Sequence, residues 1–145
     1  MKISEIMTAN PETAQVTDPI VDVASTMKDL NVGFMPILDG DRLVGVVTDR
    51  DIVVRGVAEN IDFDDSSISD IMTDSPQTLS PDADINEAAD IMETNKIRRL
   101  PILDDNGMLV GIITLGDIAV RTKNLEKSGE ILEEVSEPSK PERAA

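Results

Sequence analysis

Apolar residues along the chain follow two patterns, one typical of helices and one typical of buried strands. The same succession of these patterns occurs twice. Runs rich in β-branched residues at 43–47 and 109–113 are typical of buried strands, because branched side chains pack well on a pleated surface. Apolar positions at helical spacing precede each of them, at 20–30 and 85–92. Each half therefore predicts a β-α-β-β-α unit, and the fold class is α/β (α+β).

The first helix of each unit has a predicted apolar face. In the first copy, Asp18 is expected to cap the helix and Pro19 to take its first position. The face is formed by Ile20, Val23, Ala24, Met27 and Leu30, and in the second copy by Ile85, Ala88, Ala89 and Met92. Hairpins are predicted to pair 34–38 with 43–48 and 100–103 with 108–114, and closing helices to cover 50–57 and 116–121.

The two halves are a sequence duplication. Residues 3–8 match 68–73 at an offset of 65, and the offset becomes 66 at Gly45 and Gly111. Matches that stay in order over this length indicate an internal repeat. We therefore predict repeat 1 over 1–58, an acidic linker over 59–67, repeat 2 over 68–123, and a C-terminal helix with a flexible tail over 124–145.

The last strand of each repeat ends in Thr-x-x-Asp. Thr48 with Asp51, and Thr114 with Asp117, have the spacing of a capping box in which Asp replaces Glu. Strand end, hydroxyl, carboxylate and helix N-terminus therefore meet at one place in each repeat. We expect capping at both places and ligand binding, in addition, at one or both.

Composition excludes several function classes. The chain has no His and no Cys, which removes the usual general base and sulfur ligands, so we predict neither an enzyme nor a metal site. The formal net charge of −16 disfavours nucleic-acid binding. No apolar run approaches the ~18 residues of a membrane span, and no signal peptide is visible, so a cytoplasmic location away from membranes is expected. Asp62, Asp64 and Asp65 are interpreted as a solvated linker.

The basic residues are concentrated near the two signatures. Five of the seven arginines lie in or beside the two signatures and the segment before the second hairpin, which favours an anionic ligand: Arg50, Arg55, Arg98, Arg99 and Arg121. Arg55 and Arg121 are equally compatible with solvated helix ends. The copies also differ, since Gly33-Phe34 corresponds to Arg98-Arg99, and we expect unequal sites.

Two units with a late Gly-apolar-apolar-Thr-x-x-Asp signature, each preceded by apolar-Pro-apolar, resemble a CBS-domain pair, the Bateman module. The resemblance covers about residues 1–122. Within the family, the first copy of the signature is similar to that of small stand-alone bacterial and archaeal members. It implies repeats related by a pseudo-twofold axis, with clefts between them that take AMP, ADP, ATP or S-adenosylmethionine.

The resemblance also implies site residues. The ribose and phosphate positions are Thr48, Arg50, Asp51, Thr114, Gly116, Asp117, Arg98 and Arg99. The base slot comprises Thr13, Gly33, Met35, Pro36, Thr78, Leu100 and Pro101.

The resulting functional prediction is a regulatory module that senses an adenosyl ligand and signals to a partner protein. The ligand would be an effector and not a cofactor, and the module is expected to form a homodimer. The alternative is a structural dimerisation scaffold without a physiological ligand.

Overall fold

The computed structural model describes residues 1–122 and Leu132. The chain forms two compact units whose bounds differ from those of the sequence repeats. The first unit comprises Pro11–Pro76, and the second comprises Met1–Asn10 together with the chain from Gln77 onwards. The opening segment of each repeat thus belongs to the unit built from the rest of the other repeat. The helix and tail predicted at 124–145 lie outside the described residues, apart from Leu132.

The predicted β-α-β-β-α order and the mixed fold class are confirmed. The strands are β1 (Thr8–Ala9), β2 (Ala14–Gln15), β3 (Phe34–Asp39), β4 (Arg42–Thr48), β5 (Thr73–Asp74), β6 (Arg99–Leu103) and β7 (Leu109–Thr114). The α-helices are α1 (Ile20–Leu30), α2 (Asp49–Asp51), α3 (Ile85–Asn95) and α4 (Leu115–Thr122). Single 3₁₀ turns occupy Ile3–Glu5 and Ile68–Asp70, and a π-helix, Ile52–Val57, continues α2.

Each unit has one sheet built around a hairpin. In the first unit the strand order is β2-β3-β4-β5, with β2 parallel to β3 and the other pairs antiparallel. In the second unit the order is β1-β7-β6, and all pairs are antiparallel. The extended segment that corresponds to β2 makes a single parallel bridge there, Leu79 to Ile102.

Both cores are aliphatic. Both include residues from the opening segments that change units, residues 1–10 and 68–76, which we call the exchanged segments. Ile68 and Ile71 are buried in the first unit, and Ile3 and Ile6 are buried in the second. Burial of an isoleucine side chain contributes about 1.5–3 kcal/mol. The exchanged segments therefore supply a substantial part of each core. The remaining core members are Ala14, Ile20, Val23, Met27, Met35, Ile37 and Val47 in the first unit, and Ala88, Ala89, Met92, Leu100, Ile102, Ile113 and Ile118 in the second.

The signature glycine of each repeat allows the exchanged segment to approach the sheet. A Cβ on Gly45 would lie 2.6 Å from Met72 Sδ and 2.9 Å from the Thr73 carbonyl oxygen. At Gly111 the corresponding distances are 2.5 Å to Met7 Sδ and 3.0 Å to the Thr8 carbonyl oxygen. Because backbone atoms contribute to both contacts, a larger residue could not be accommodated by a side-chain rotation alone.

The N-terminus is fixed to the start of α3. The Ile85 N–H donates to the Met1 carbonyl at 3.1 Å, and the N-terminal ammonium lies 3.3 Å from Asp84 Oδ2. Asp84 also caps α3 by accepting from the Asn86 N–H at 2.9 Å, and that hydrogen bond lowers the pKa of the exposed Asp84 carboxyl. Residues 1–10 are thereby held in the second unit.

Two details of the first helix were predicted wrongly. The Asp18 carboxylate accepts from the Gln15 N–H at 2.9 Å, so it stabilises the preceding turn, and Pro19 takes the N-cap position. Leu30 is 42% exposed, because it is the last helical residue before Asn31 turns the chain in the left-handed conformation.

The helix predicted at 50–57 is mostly a π-helix. Its buried Gly56 packs against Phe63, whose ring would lie 2.9 Å from a Cβ at that position. Val53, Val54 and Val57 on this π-helix are exposed.

We predict that Gly111→Ala lowers the free energy of unfolding by about 1–3 kcal/mol, because the added methyl group overpacks the contact with Met7 and Thr8. Urea denaturation measures the change. Gly116→Ala is the matched control, since its Cβ would meet nothing nearer than Thr114 Oγ1 at 3.5 Å. The control should be unchanged or slightly more stable. Equal destabilisation by both substitutions would contradict the close-approach explanation.

Candidate functional site

A reciprocal capping box forms at the end of the last strand in each unit, as predicted. The Thr48 N–H donates to Asp51 Oδ2 at 3.0 Å, and the Asp51 N–H donates to Thr48 Oγ1 at 3.1 Å. In the second unit the Thr114 N–H donates to Asp117 Oδ2 at 2.9 Å, and the Asp117 N–H donates to Thr114 Oγ1 at 3.0 Å. Each box engages Oδ2 of its half-buried carboxylate, so Oδ1 can accept hydrogen bonds from a ligand.

A second backbone contact brings the residue that precedes the first strand of the hairpin to the same place. The Asp49 N–H donates to the Gly33 carbonyl at 3.0 Å, and the Leu115 N–H donates to the Arg98 carbonyl at 2.9 Å. Gly33 and Arg98 hold equivalent positions in the two repeats, as do Asp49 and Leu115. The two units therefore present the same backbone frame around their signatures.

In the second unit this frame borders a pocket of about 460 Å³. Four predicted site residues line it: Arg98, Arg99, Thr114 and Gly116. Asp117 adjoins it through its hydrogen bonds with Thr114. The remaining lining residues are Leu115, Ala119 and Leu132. The pocket therefore combines two guanidinium-bearing residues with a hydroxyl group and an apolar wall.

In the first unit the frame borders a pocket of about 430 Å³. Of the predicted site residues, Gly33 lines it, whereas Thr48, Arg50 and Asp51 are not among its lining residues. Sequence reasoning missed Asp49, which does line it, because the two repeats have different residues at this position of the signature, Asp49 and Leu115. The other lining residues are Ala24, Met27, Lys28, Asn31, Val32, Ile52 and Val53.

The predicted base-slot residues lie mostly in the sheets. The Met35 and Leu100 side chains are buried in the two cores, so a contact with a ligand from either residue would come from the backbone. Pro36 and Pro101 are also buried, but they are the next residues along the same strands, and alternation directs them to the opposite face of the sheet. Thr13 and Thr78 are half-buried in extended chain before β2 and before the Leu79 bridge.

Arg55, whose role the sequence left open, contributes to folding. Its Nη1 donates to the carbonyls of Ile71 at 3.4 Å and Met72 at 3.2 Å. It therefore links the π-helix to the exchanged segment of the first unit.

The linker acids make local contacts. The Asp64 N–H donates to Asp62 Oδ1 at 2.9 Å, which is a turn interaction. Within residues 1–122 and Leu132, no group of three acidic side chains could hold a metal ion. Among these residues, no helix is long and apolar enough to cross a membrane.

Both repeats match the model of a known protein family. The family model described as "CBS domain" matches residues 3–56 and 68–122. Protein YlbB of Bacillus subtilis (strain 168) is 39% identical over 138 residues, which cover 94% of this chain and 92% of YlbB.

Solved structures of similar proteins have the same fold. The CBS-domain protein TA0289 from Thermoplasma acidophilum superposes with a TM-score of 0.82 at 25% identity, covering 92% of this chain and 75% of that one. The CBS-domain pair of protein MJ0100, solved with 5′-methylthioadenosine and S-adenosylmethionine, gives a TM-score of 0.75 at 29% identity. That match covers 84% of this chain and 99% of that chain.

We predict that Thr114→Ala lowers the free energy of unfolding by about 1 kcal/mol, because the Asp117 N–H loses its side-chain acceptor. Thr114→Ser keeps the hydroxyl and should retain most of that stability. Thermal and urea unfolding of both variants measure the difference. If the serine variant were as unstable as the alanine variant, the methyl group and not the cap would be the important feature.

Proposed function

The chain belongs to the CBS-domain family, and from that premise we propose that it is a regulatory module that binds an adenine nucleotide or a related adenosyl ligand and communicates the bound state to a partner protein. CBS-domain pairs are regulatory modules and are generally not catalytic. With no His and no Cys in the chain, the residues also lack the usual general base and thiol nucleophile. The proposed role is therefore binding without turnover.

The observation that carries this proposal is the pocket beside Thr114 and Asp117. The free Oδ1 of Asp117 suits a ribose diol, because a carboxylate oxygen accepts hydrogen bonds from hydroxyl groups. Arg98 and Arg99 suit phosphate, since the guanidinium group is planar and donates in a fork geometry. The Gly116 N–H at the start of α4 is a further backbone donor near the same place.

The comparison with MJ0100 supports the choice of ligand class. Both molecules bound by that domain pair, 5′-methylthioadenosine and S-adenosylmethionine, contain adenosine. The two have different 5′ groups, so the shared recognition element is the nucleoside. A carboxylate and hydroxyl pair that recurs in both repeats fits that shared element.

Signalling would proceed by a shift in the population of conformations. The chain's own backbone and side chains form the capping boxes, so the binding free energy would be available to favour one arrangement of the helices that begin there. A partner protein that prefers that arrangement would bind more tightly when the ligand is present, and linkage makes the effect reciprocal.

A homodimer is the proposed assembly, with the outer faces of these helices as contact surfaces. Val54 and Val120 hold equivalent positions in the two repeats, and they are 47% and 74% exposed. A single exposed valine needs no explanation. An exposed valine at the same position of both repeats favours a surface that becomes buried when two chains associate. A second copy of the chain would offer the same surface in return.

We expect calorimetric titration to detect binding of AMP, ATP or S-adenosylmethionine, and Asp117→Asn to weaken it about tenfold. The amide oxygen of asparagine still accepts from the Thr114 N–H, so the cap remains, while the charged acceptor for the ribose is lost. Asp51→Asn tests the first unit in the same way, and Asp64→Asn in the linker is the control for the change in charge. If none of these compounds bound to the unsubstituted chain, the sensing role would be contradicted and the scaffold alternative favoured.

For the assembly, we predict that Val54→Glu together with Val120→Glu converts dimers to single chains, because two charges per chain would have to be buried at the contact. Light scattering after size exclusion measures the mass. Val21→Glu is the matched control: Val21 is also 47% exposed, but its equivalent in the other repeat is the polar Asn86. Loss of the dimer in the control alone would place the contact on α1.

A further inference from the structure

The pocket beside Thr114 has an apolar wall that the predicted base-slot residues do not supply. The residues of this apolar wall are Leu115, Ala119 and Leu132. Within the part of the chain that the structure describes, the pocket is not lined by Thr78, Leu100 or Pro101. The side chain of Leu100 is buried in the core of the second unit, which leaves none of it for a ligand to cover. The base of a bound nucleoside therefore needs another apolar surface.

Two parts of the second unit supply the apolar wall. Leu115 and Ala119 are half-buried and lie one turn apart on α4, so they share a face of that helix. Leu132 comes from the chain beyond α4, and it is 47% exposed although it lines the pocket. Its apolar surface would leave water when a ligand with an apolar face binds there, and such burial favours binding.

The polar groups of the pocket adjoin the apolar wall directly. Thr114 precedes Leu115 in the chain, and the Thr114 N–H holds Asp117 Oδ2 at 2.9 Å. The pocket of about 460 Å³ therefore presents hydroxyl and carboxylate oxygen atoms beside aliphatic side chains. Adenosine has the matching arrangement, because its ribose carries hydroxyl groups and its purine ring has two flat faces that stack on side chains.

We propose that the apolar wall binds the adenine ring, and that Leu132 is a ligand-binding residue of the second unit. The ring lies across the side chains of the wall while the ribose is held beside Thr114 and Asp117. This inference rests on the proposed function and adds to it the subsite for the base. It also gives the chain beyond α4 a part in ligand binding.

The first test is calorimetric titration with AMP and S-adenosylmethionine, which share adenosine and differ at the 5′ position. Leu132→Ala should weaken both by the same factor, about fivefold, because the purine ring loses the same apolar contact in each compound. Val21→Ala is the matched control: Val21 is also 47% exposed, but it lies on α1 in the first unit, so both affinities should be unchanged. Melting temperatures without ligand check that both variants are folded.

The second test uses the lack of tryptophan and tyrosine in the sequence. In Leu132→Trp the introduced indole is the only one in the chain, and stacking of the adenine ring on it should tighten binding and quench its emission with either compound. Adding Asp117→Asn to this variant should move the midpoint of quenching to about tenfold higher concentration, since both residues serve one site. Val21→Trp is the control and should show no quenching.

The failures of the two proposals can be distinguished. If AMP and S-adenosylmethionine bind the unsubstituted chain but Leu132→Ala changes neither affinity, or the emission of Leu132→Trp is not quenched, the base subsite is overturned and adenosyl binding stands. Weakening of one compound alone by Leu132→Ala would place Leu132 beside the 5′ group, which also overturns it. If the unsubstituted chain binds only one compound, quenching of Leu132→Trp by that compound decides. Binding of neither compound would overturn both proposals.

Discussion

The close approach of an exchanged segment to a strand glycine is the contact on which each unit depends. Strands β5 and β1 lie against Gly45 and Gly111 at distances that leave no room for a Cβ. The same segments deliver pairs of isoleucines to the cores. A repeat without the opening segment of the other would therefore expose apolar surface and an unpaired strand edge. This constraint explains why the two repeats occur together in one chain.

The strand–helix junction depends in turn on this arrangement. Strand β4 or β7 carries the signature glycine in its middle and the capping threonine at its end. The segment that packs on the glycine thus fixes the strand whose last residue presents the hydroxyl group. The carboxylate then accepts from the Thr114 N–H, and the hydroxyl group accepts from the Asp117 N–H, so the chain's own backbone orients both polar groups of the site.

Duplication has preserved this frame and varied the residues around it. Both caps and both carbonyl contacts are present, yet the side chains that define the charge of each pocket have diverged at positions 33 and 98 and at positions 49 and 115. Conformational requirements constrain the threonine and the aspartate, because they stabilise the helix start. The side chains at the neighbouring positions have no such role, so they could diverge without loss of the cap.

The sequence by itself determined what depends on local spacing. The internal repeat, the hairpins and the capping boxes follow from residues close together in the chain, and Thr48 and Asp51 need only three residues of separation to form their box. Prediction failed where a nearby alternative partner was available, as with Asp18, which bonds back to Gln15 and leaves the helix N-terminus to Pro19. Only the tertiary structure decided that residues 1–10 and 68–76 change units and that Met35 and Leu100 point into the cores. It also decided that Arg55 donates to the carbonyls of Ile71 and Met72, and that Asp49 lines a pocket. The reason is physical: these outcomes depend on contacts between segments far apart in the chain, and local hydrophobic periodicity carries no information about which segment a strand will pair with.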